Sequence, residues 1–251
     1  MRKLRVCAVV CSLLLLALPA ATQMGEGDIV RVYFIQPKAG MEKDFEAALK
    51  KHLEWHAQQK DTWTYVAWQT IVGEGNGNYG VGTFGHTWED FDKPGVDAAA
   101  DQADVQTTIG PTVERVTPTF WRYLKDVSHP AEGEPGMSQV LSFEVKQGQS
   151  AHFMHLIKKF HEAIQKTKWP VHYEWYELLV GGDVPQYVLV LPKANWAAFK
   201  PMEKPFPAML EEAFGRMEAE HMLEAFSNTI KHEESEVIRS RPDLGYAPPK
   251  K

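Results

Sequence analysis

Two histidines one helical turn apart are the residues of this chain best placed to do chemistry. His52 and His56 lie in a segment with helically spaced apolar residues, and at 100° per residue both fall within about 20° of Phe45, on the side facing the core. Such a pair can bind a divalent metal or position a ligand, and a neutral imidazole can act as acid or base. The alternative is two partly buried histidines, hydrogen-bonded at a helix end, that bind nothing.

The pair does not match the His-Glu-x-x-His pattern of zinc peptidases. In the segment His52-Leu-Glu-Trp-His56 the acid is the third residue, so Glu54 lies about 160° from His52, on the solvent side of the helix. Glu54 is therefore badly placed to act as a base on a metal-bound water, and a zinc peptidase is excluded.

Other residues could complete a ligand site around the pair. His86, at the end of a predicted strand, could supply a third ligand, although such a histidine is more often a loop residue. Trp68 and Tyr65 could line a pocket, although aromatic residues at strand spacing are more often core. The predicted ligand-binding set is His52, His56, His86, Trp68 and Tyr65. No cofactor is required by the sequence, and both haem and a divalent metal at the histidine pair are compatible with it.

The elements that position these residues occur twice in the chain. At an offset of 108 residues, 32–91 aligns with 140–199 without a gap, and thirteen of the 60 pairs are identical where ordinary residue frequencies give about 3 or 4. The second copy has Phe160 and Ile164 where the first has the two histidines. We therefore expect the first copy to hold the polar site and the second mainly to complete the fold.

Each copy reads as an α+β unit of order βαββαβ, as in ferredoxin-like folds. Strands are predicted at residues 29–35, 63–72, 79–84 and 120–125, and at 140–145, 171–180, 187–191 and 236–240 in the second copy. The second helices are predicted at 98–105 and 206–226. Residues 29–35 are apolar on both sides, so we expect one face of the sheet to pack on helices and the other on the sister copy's sheet.

Composition and the chain ends set further limits. Residues 1–21 carry a basic start, an apolar core and small residues, which predicts a signal peptide and an exported protein, periplasmic or secreted. Both cysteines lie there, so thiol chemistry and disulfides are excluded afterwards. Cleavage leaves 24 basic against 33 acidic residues, a net charge near −9, which makes nucleic acid an unsuitable partner. We predict units at 22–127 and 137–241, a linker at 128–136 and a flexible tail at 242–251.

The first strand, the turn at Lys38 and Gly40, the helix bearing Phe45 and the aromatic hairpin together resemble the dimeric α/β barrel superfamily. The pattern is most similar to NIPSNAP-like and antibiotic-biosynthesis-monooxygenase-like domains in tandem. The resemblance implies a ligand pocket between helices and sheet, and relatives that include cofactor-independent monooxygenases and haem-degrading enzymes. The haem-degrading members use an Asn on the first strand, where this chain has Tyr33 and Ser142.

Three functions follow as expectations. The first is an exported protein that binds a small, largely apolar ligand in the first unit. The second is a cofactor-independent or haem-type monooxygenase using His52 or His56 as base or ligand, and the third is a partner-binding module without a small ligand. In each case we expect a pseudo-dimer within one chain and no membrane association after cleavage. The sequence leaves further oligomerisation open.

Overall fold

The structure is a computed structural model that describes residues 27–249. The predicted signal peptide lies outside the described residues. No helix within 27–249 is both long enough and apolar enough to cross a membrane.

The first unit follows the predicted order closely. Its elements are β1 (Ile29–Pro37), α1 (Glu42–Gln58), β2 (Val66–Val72), β3 (Tyr79–His86), α2 (Trp88–Asp92), α3 (Ala98–Thr108) and β4 (Val113–Tyr123). The last strand begins at Val113 and not at residue 120, because residues 113–119 also pair with β1. Several of these residues are polar, so the sequence pattern did not mark them as strand.

The second unit repeats the order with one change. Its elements are β5 (Met137–Val145), α4 (Ser150–Thr167), β6 (Glu174–Val180), β7 (Gln186–Lys193), α5 (Phe206–Phe214), α6 (Arg216–Thr229) and β8 (Ile230–Ser240). The single helix predicted for 206–226 is wrong, because Gly215 has a φ of 85° and breaks it into α5 and α6. Glycine tolerates this left-handed backbone where other residues are strained.

The eight strands form one closed barrel in the order β1-β3-β2-β8-β5-β7-β6-β4. Strand β4 of the first unit pairs antiparallel with β6 of the second, and β2 pairs with β8. The predicted α+β fold with two ferredoxin-like units forming a pseudo-dimeric barrel is thus confirmed. The units join edge to edge through backbone hydrogen bonds as well as face to face, so neither keeps an open sheet edge at these strands.

The two sides of β1 serve different cores. Val30 and Val32 point into the barrel with Trp121 and Leu178, whereas Ile35 packs with Phe45 and other residues of α1 on the helix side. This alternation is the period of two expected for a strand covered on both faces. It also places Arg31 and Tyr33, which share the parity of Ile35, on the helix side of the first unit.

The chain end packs differently from the flexible tail expected at 242–251. Leu244 is completely buried in the core beneath α1, and Tyr246 exchanges backbone hydrogen bonds with Tyr65. Arg241 binds Glu46 and Asp243. Residues 242–246 therefore belong to the first unit's packing. Leu244 is buried in its core, and the Tyr246 hydroxyl donates a hydrogen bond to the carbonyl oxygen of Asp61, although the composition of this segment predicted flexibility.

Candidate functional site

The two histidines of α1 face each other. His52 and His56 are 7% and 2% exposed, so the prediction that they point inward is confirmed. Their Nε2 atoms lie 3.0 Å apart and their rings meet edge to face, with centroids 4.5 Å apart. Spacing of four residues on one helix brings the side chains together, as the sequence indicated.

Each histidine has a carboxylate at its other nitrogen. Asp104 Oδ2 lies 2.8 Å from Nδ1 of His52, and Asp61 Oδ2 lies 2.7 Å from Nδ1 of His56. Burial, the largest cause, lowers the pKa of His52 despite the Asp104 carboxylate, so a neutral ring is favoured. A neutral ring that donates from Nδ1 has its lone pair on Nε2. Both lone pairs then point at the space between the rings.

A third carboxylate closes this space. Asp101 Oδ1 lies 3.4 Å from Nε2 of His52 and 3.6 Å from Nε2 of His56. This oxygen is buried and has no hydrogen-bond partner among the described residues, although the side chain as a whole is 31% exposed. Buried acceptors without partners are rare in folded proteins and call for an explanation such as a missing ion or water.

Two neutral imidazoles carry too few N–H groups to supply all the hydrogen bonds of the cluster. The contacts of Asp104 with His52, of the two Nε2 atoms with each other, and of His56 with Asp61 require three protons, and two neutral rings carry two N–H groups. One ring would have to be an imidazolium, which burial opposes at His52. A cation between the two Nε2 atoms removes the deficit and gives Asp101 Oδ1 a partner.

The spacing of the three free ligand atoms fits a bound ion. Zinc, for example, lies about 2.0–2.2 Å from histidine nitrogens and carboxylate oxygens. For ligand angles of about 90–120°, such bonds place the ligand atoms about 2.9–3.7 Å apart. The observed separations of 3.0, 3.4 and 3.6 Å lie within this range. His52, His56 and Asp101 are thus arranged as a three-ligand metal site.

Asp61 is held rigidly in the loop after α1. It is 1% exposed, and it accepts hydrogen bonds from the Trp63 amide and the Tyr65 hydroxyl in addition to its contact with His56. Burial raises the pKa of Asp61, but these hydrogen bonds outweigh burial and leave the pKa below its ordinary value. Gly95 packs directly on it, since a Cβ there would lie 2.0 Å from Asp61 Oδ1. The ring of His56 is therefore fixed in place by a charged, immobile partner.

The helix that carries the other carboxylates has few apolar contacts: Val105 packs half-buried on the first unit's core, and Ile109 is buried directly after the helix. None of the side chains of α3 is buried, and Asp101 and Asp104, three residues apart, lie on the side that meets α1. Thr108 donates a further hydrogen bond to Asp104. Helices of soluble proteins normally dock through an apolar stripe. Here polar contacts with the histidines replace much of that stripe.

The remaining predicted residues divide between two places. Tyr65 belongs to the cluster, because its ring packs on His56 at 4.8 Å and its hydroxyl binds Asp61. His86 lies nearby against Trp63, but its Nε2 is 2.6 Å from Thr83 Oγ1 and it is not among the ligand atoms; Asp101 occupies the third position instead. Trp68 packs with the barrel interior, across the sheet from the histidines, so it does not line this site.

Sequence reasoning missed Asp61, Asp101 and Asp104. A signal for two of them exists in hindsight: Asp101 and Asp104 are one turn apart on a helix that lacks an apolar face. Asp61 carries no such signal, because it lies in a loop and reaches His56 only through the fold.

The matched region of the second unit is an apolar core. Phe160 and Ile164 are both 7% exposed, and the ring of Phe160 packs edge-on against Phe206 and Phe226 at 5.1 and 5.2 Å. The residue matched to Asp61 is Trp169, which packs on Phe206. The duplication therefore shows what this region looks like when it serves packing alone, and the first unit departs from it at His52, His56 and Asp61.

Haem does not fit the histidine cluster. Each Nε2 has the other imidazole 3.0 Å away, in the space that the macrocycle of a haem bound there would need, whereas a single ion between the two nitrogens needs no such space. A surface depression of about 300 Å³ lies elsewhere, in the second unit, lined by Gln149, His152, His221, Glu224, Ala225, Asn228 and Thr229. It is open to solvent, and none of its lining residues belongs to the histidine cluster of the first unit.

Comparison with known proteins gives the fold class. No protein-family model matches the chain, and no curated protein matches it in sequence. Among solved structures, a candidate monooxygenase from Lactobacillus acidophilus NCFM is 12% identical, with a TM-score of 0.53 over 86% of this chain and 94% of that one. A mutant chlorite dismutase from Candidatus Nitrospira defluvii is 9% identical, with a TM-score of 0.53 over 87% and 94%.

An anthrone oxidase-like protein is similar at the same level, with 10% identity and a TM-score of 0.52 over 85% of this chain and 91% of that one. These likenesses show that the chain shares the overall fold of these three proteins. At such identities they describe the fold alone, and the narrower NIPSNAP-like resemblance is not shown.

Proposed function

We propose that the first unit binds one divalent transition-metal ion through Nε2 of His52, Nε2 of His56 and Oδ1 of Asp101. The observation that carries this proposal is the convergence of the two Nε2 atoms on a buried carboxylate oxygen that has no hydrogen-bond partner among the described residues. Asp104 and Asp61 bind the opposite ring nitrogens, the arrangement that orients metal-bound histidines and raises their basicity. The exported small-molecule-binding protein expected from the sequence thus becomes a metal-dependent one.

The ligand set favours a metal that accepts nitrogen and oxygen together. Two histidines and one carboxylate suit zinc or iron(II), and three protein ligands leave at least one coordination position for water or a small molecule. A bound ion of this type supplies Lewis acidity to an oxygen atom of that molecule. The chain's own residues orient the ligands and, through the partly exposed Asp101, leave an approach from the side of α3.

Metal binding is tested with variants that remove only the ligand nitrogens. In His52→Asn and His56→Asn the amide can take the place of Nδ1 and keep the contacts with Asp104 and Asp61, while Nε2 is lost. We expect metal-free wild-type protein to bind about one zinc ion and the double variant to bind none, measured by calorimetry and by elemental analysis after dialysis. The matched control replaces His152 and His221 of the second unit by Asn, which should leave the stoichiometry unchanged. Wild-type protein that takes up no zinc, iron(II) or manganese overturns the proposal.

A metal-free acid–base site is the second candidate. The 3.0 Å approach of the two Nε2 atoms is hydrogen-bond distance, and a histidine paired with a carboxylate can take a proton from a ligand. This corresponds to the cofactor-independent monooxygenase expected as an alternative. Substrate turnover that survives exhaustive chelation and is lost in His52→Asn would favour it over the metal site.

Export is also part of the proposal and rests on residues 1–21. Expression with these residues should deliver a processed protein to the periplasm or medium, with an amino terminus after Ala20 or Ala21. Retention of the full-length chain in the cytoplasm would contradict it.

A further inference from the structure

Arg31, on the helix side of the first unit, has a guanidinium Nε–H without a hydrogen-bond acceptor among the described residues. Its Nε is buried and has no hydrogen-bond partner, and no carboxylate among residues 27–249 lies within ion-pair distance of its side chain. The guanidinium instead lies over three aromatic rings, those of Tyr33, Trp63 and Phe91, at 5.0, 5.4 and 5.3 Å from their centroids. These rings hold it in one orientation.

A half-buried arginine whose Nε is enclosed, with no acid within ion-pair distance among the described residues, is unusual. Desolvating a cation is costly, and proteins normally offset that cost with a carboxylate or leave it to a ligand. Nε and a neighbouring Nη form the planar fork that matches the two oxygens of a carboxylate. Aromatic faces stabilise the charge but accept an N–H only weakly, so a full hydrogen bond to Nε needs an acceptor from a bound molecule or water.

Arg31 belongs to the same compartment as the metal site. Trp63, whose ring lies beneath the guanidinium, donates its amide hydrogen to Asp61 at 2.9 Å, and Asp61 binds His56. Arg31 is thus linked to the histidine cluster through Trp63 and Asp61.

The second unit again provides the comparison. One residue before the gapless alignment, Arg31 is matched by Gln139, and Tyr33 and Trp63 are matched by Leu141 and Val171. The charge, two of its three aromatic contacts and the two histidines are therefore absent from the copy with an apolar core, whereas the third ring, Phe91, is matched by Phe199. The joint absence of the charge and the histidines indicates that they serve one purpose.

We propose that Arg31 is the binding residue for the carboxylate of a small organic acid, held beside the metal site of the first unit. The ligand class is thereby a small carboxylate rather than a neutral apolar molecule. This inference rests on the proposed function for the position of the metal, but the carboxylate contact itself depends only on Arg31 and its surroundings.

Benzoate and its neutral counterpart benzamide test the inference directly. The Nε–H signal of Arg31, assigned by its disappearance in Arg31→Gln, should shift on addition of benzoate and not of benzamide. Arg31→Gln introduces the residue that the second copy has, and it should weaken benzoate binding by about tenfold or more while zinc still binds. Arg31→Lys keeps the charge without the planar guanidinium fork, and its benzoate affinity should lie between those of wild type and Arg31→Gln. Arg115→Gln, an exposed arginine on β4, is the control and should change nothing.

The outcomes separate this inference from the proposed function. Unshifted Arg31 Nε–H in zinc-loaded and zinc-free protein, or equal benzoate affinity in Arg31→Gln, overturns the carboxylate site. Loss of zinc in Arg31→Gln without loss of benzoate binding would make Arg31 a counter-charge for the aspartates and also overturns it. A benzoate-dependent shift in protein that binds no zinc would support Arg31 and contradict only the metal site.

Discussion

His56 Nδ1 and Asp61 Oδ2 lie 2.7 Å apart, and both side chains are almost fully buried. The helix contributes the imidazole and the loop that follows it contributes the carboxylate, so a local turn of the chain builds one half of the site. The other half needs α3, which the chain reaches only after a complete β-hairpin.

Asp61→Asn should weaken metal binding without abolishing it. The amide can still accept a hydrogen bond from Nδ1 of His56 but carries no charge, and loss of such a partner typically costs about 10–100-fold in metal affinity. Competition with a chromophoric chelator measures the change, and Asp183→Asn, an exposed acid in the second unit, is the control. Unchanged affinity in Asp61→Asn would show that the buried carboxylate does not act on a metal ligand.

Metal should order α3. This helix has no buried side chain and meets α1 through Asp101 and Asp104, so an ion bound between them ties the two helices together. We expect slower amide hydrogen exchange in residues 98–108 when zinc is added, and a higher melting temperature, with about 2.7 kcal/mol of added stability at a free concentration one hundred times Kd.

Asp101→Asn is the matched variant for this effect. It should lose both the protection of α3 and the rise in melting temperature, because the third ligand is weakened. Zinc-dependent protection that persists in Asp101→Asn, or that spreads evenly over both units, would place the ion elsewhere.

Histidine exchange should destabilise both copies, but only the exchange in the first should abolish metal binding. Phe160→His with Ile164→His puts unpartnered polar rings into an apolar core, and we expect a loss of about 3 kcal/mol or more in the free energy of unfolding, measured by denaturant titration. His52→Phe with His56→Ile should abolish metal binding and also lower the free energy of unfolding, since it leaves the buried Asp61 carboxylate without its His56 partner. A stabilised first-unit exchange would mean that the histidines are dispensable filler.

Acid should weaken the attachment of residues 241–246. Hydrogen bonds from Arg241 lower the pKa of Asp243 and of Glu46 below their ordinary values. Carboxyls with lowered folded-state pKa values contribute stability above their unfolded values near 4, and that contribution is lost as the pH falls further. Arg241→Gln should therefore be less stable than wild type at neutral pH, and the difference should shrink below about pH 4. A constant difference from pH 7 to 2 would contradict this.

The two halves should not survive separation. Strands β2 and β8, and β4 and β6, join the units through the barrel wall, so residues 22–130 and 137–251 expressed apart each expose two unpaired edges. We expect aggregation or self-association by size-exclusion chromatography. Two soluble, monomeric halves would show that the barrel is not needed for either unit to fold.

The fold could be predicted because its signals are local and repeated. Glycine turns, strand and helix periodicity and the gapless duplication are all visible along the chain, and the inward direction of His52 and His56 follows from their spacing with Phe45. The partners of the histidines could not be predicted, because Asp61 lies in a loop and α3 docks through polar contacts that no apolar pattern marks.

Residues on strands were harder to place than residues on helices. The sequence predicts Trp68 and Tyr65 together as aromatic residues that line a pocket, but the two differ by an odd number of positions and lie on opposite faces of the sheet. Arg31 carried no sequence signal for a ligand, because its importance depends on the absence of an acid around it, which only the packed structure reveals.

Crystals of the full mature protein, grown with zinc and measured on both sides of the zinc absorption edge, test the central claim most directly. The metal-site proposal predicts a single strong anomalous peak in the first unit, about 2.0–2.2 Å from Nε2 of His52, Nε2 of His56 and an oxygen of Asp101. It also predicts no corresponding peak at Phe160 and Ile164. An anomalous map with no peak between the two histidines, at a zinc concentration that fills other histidine sites, would contradict it.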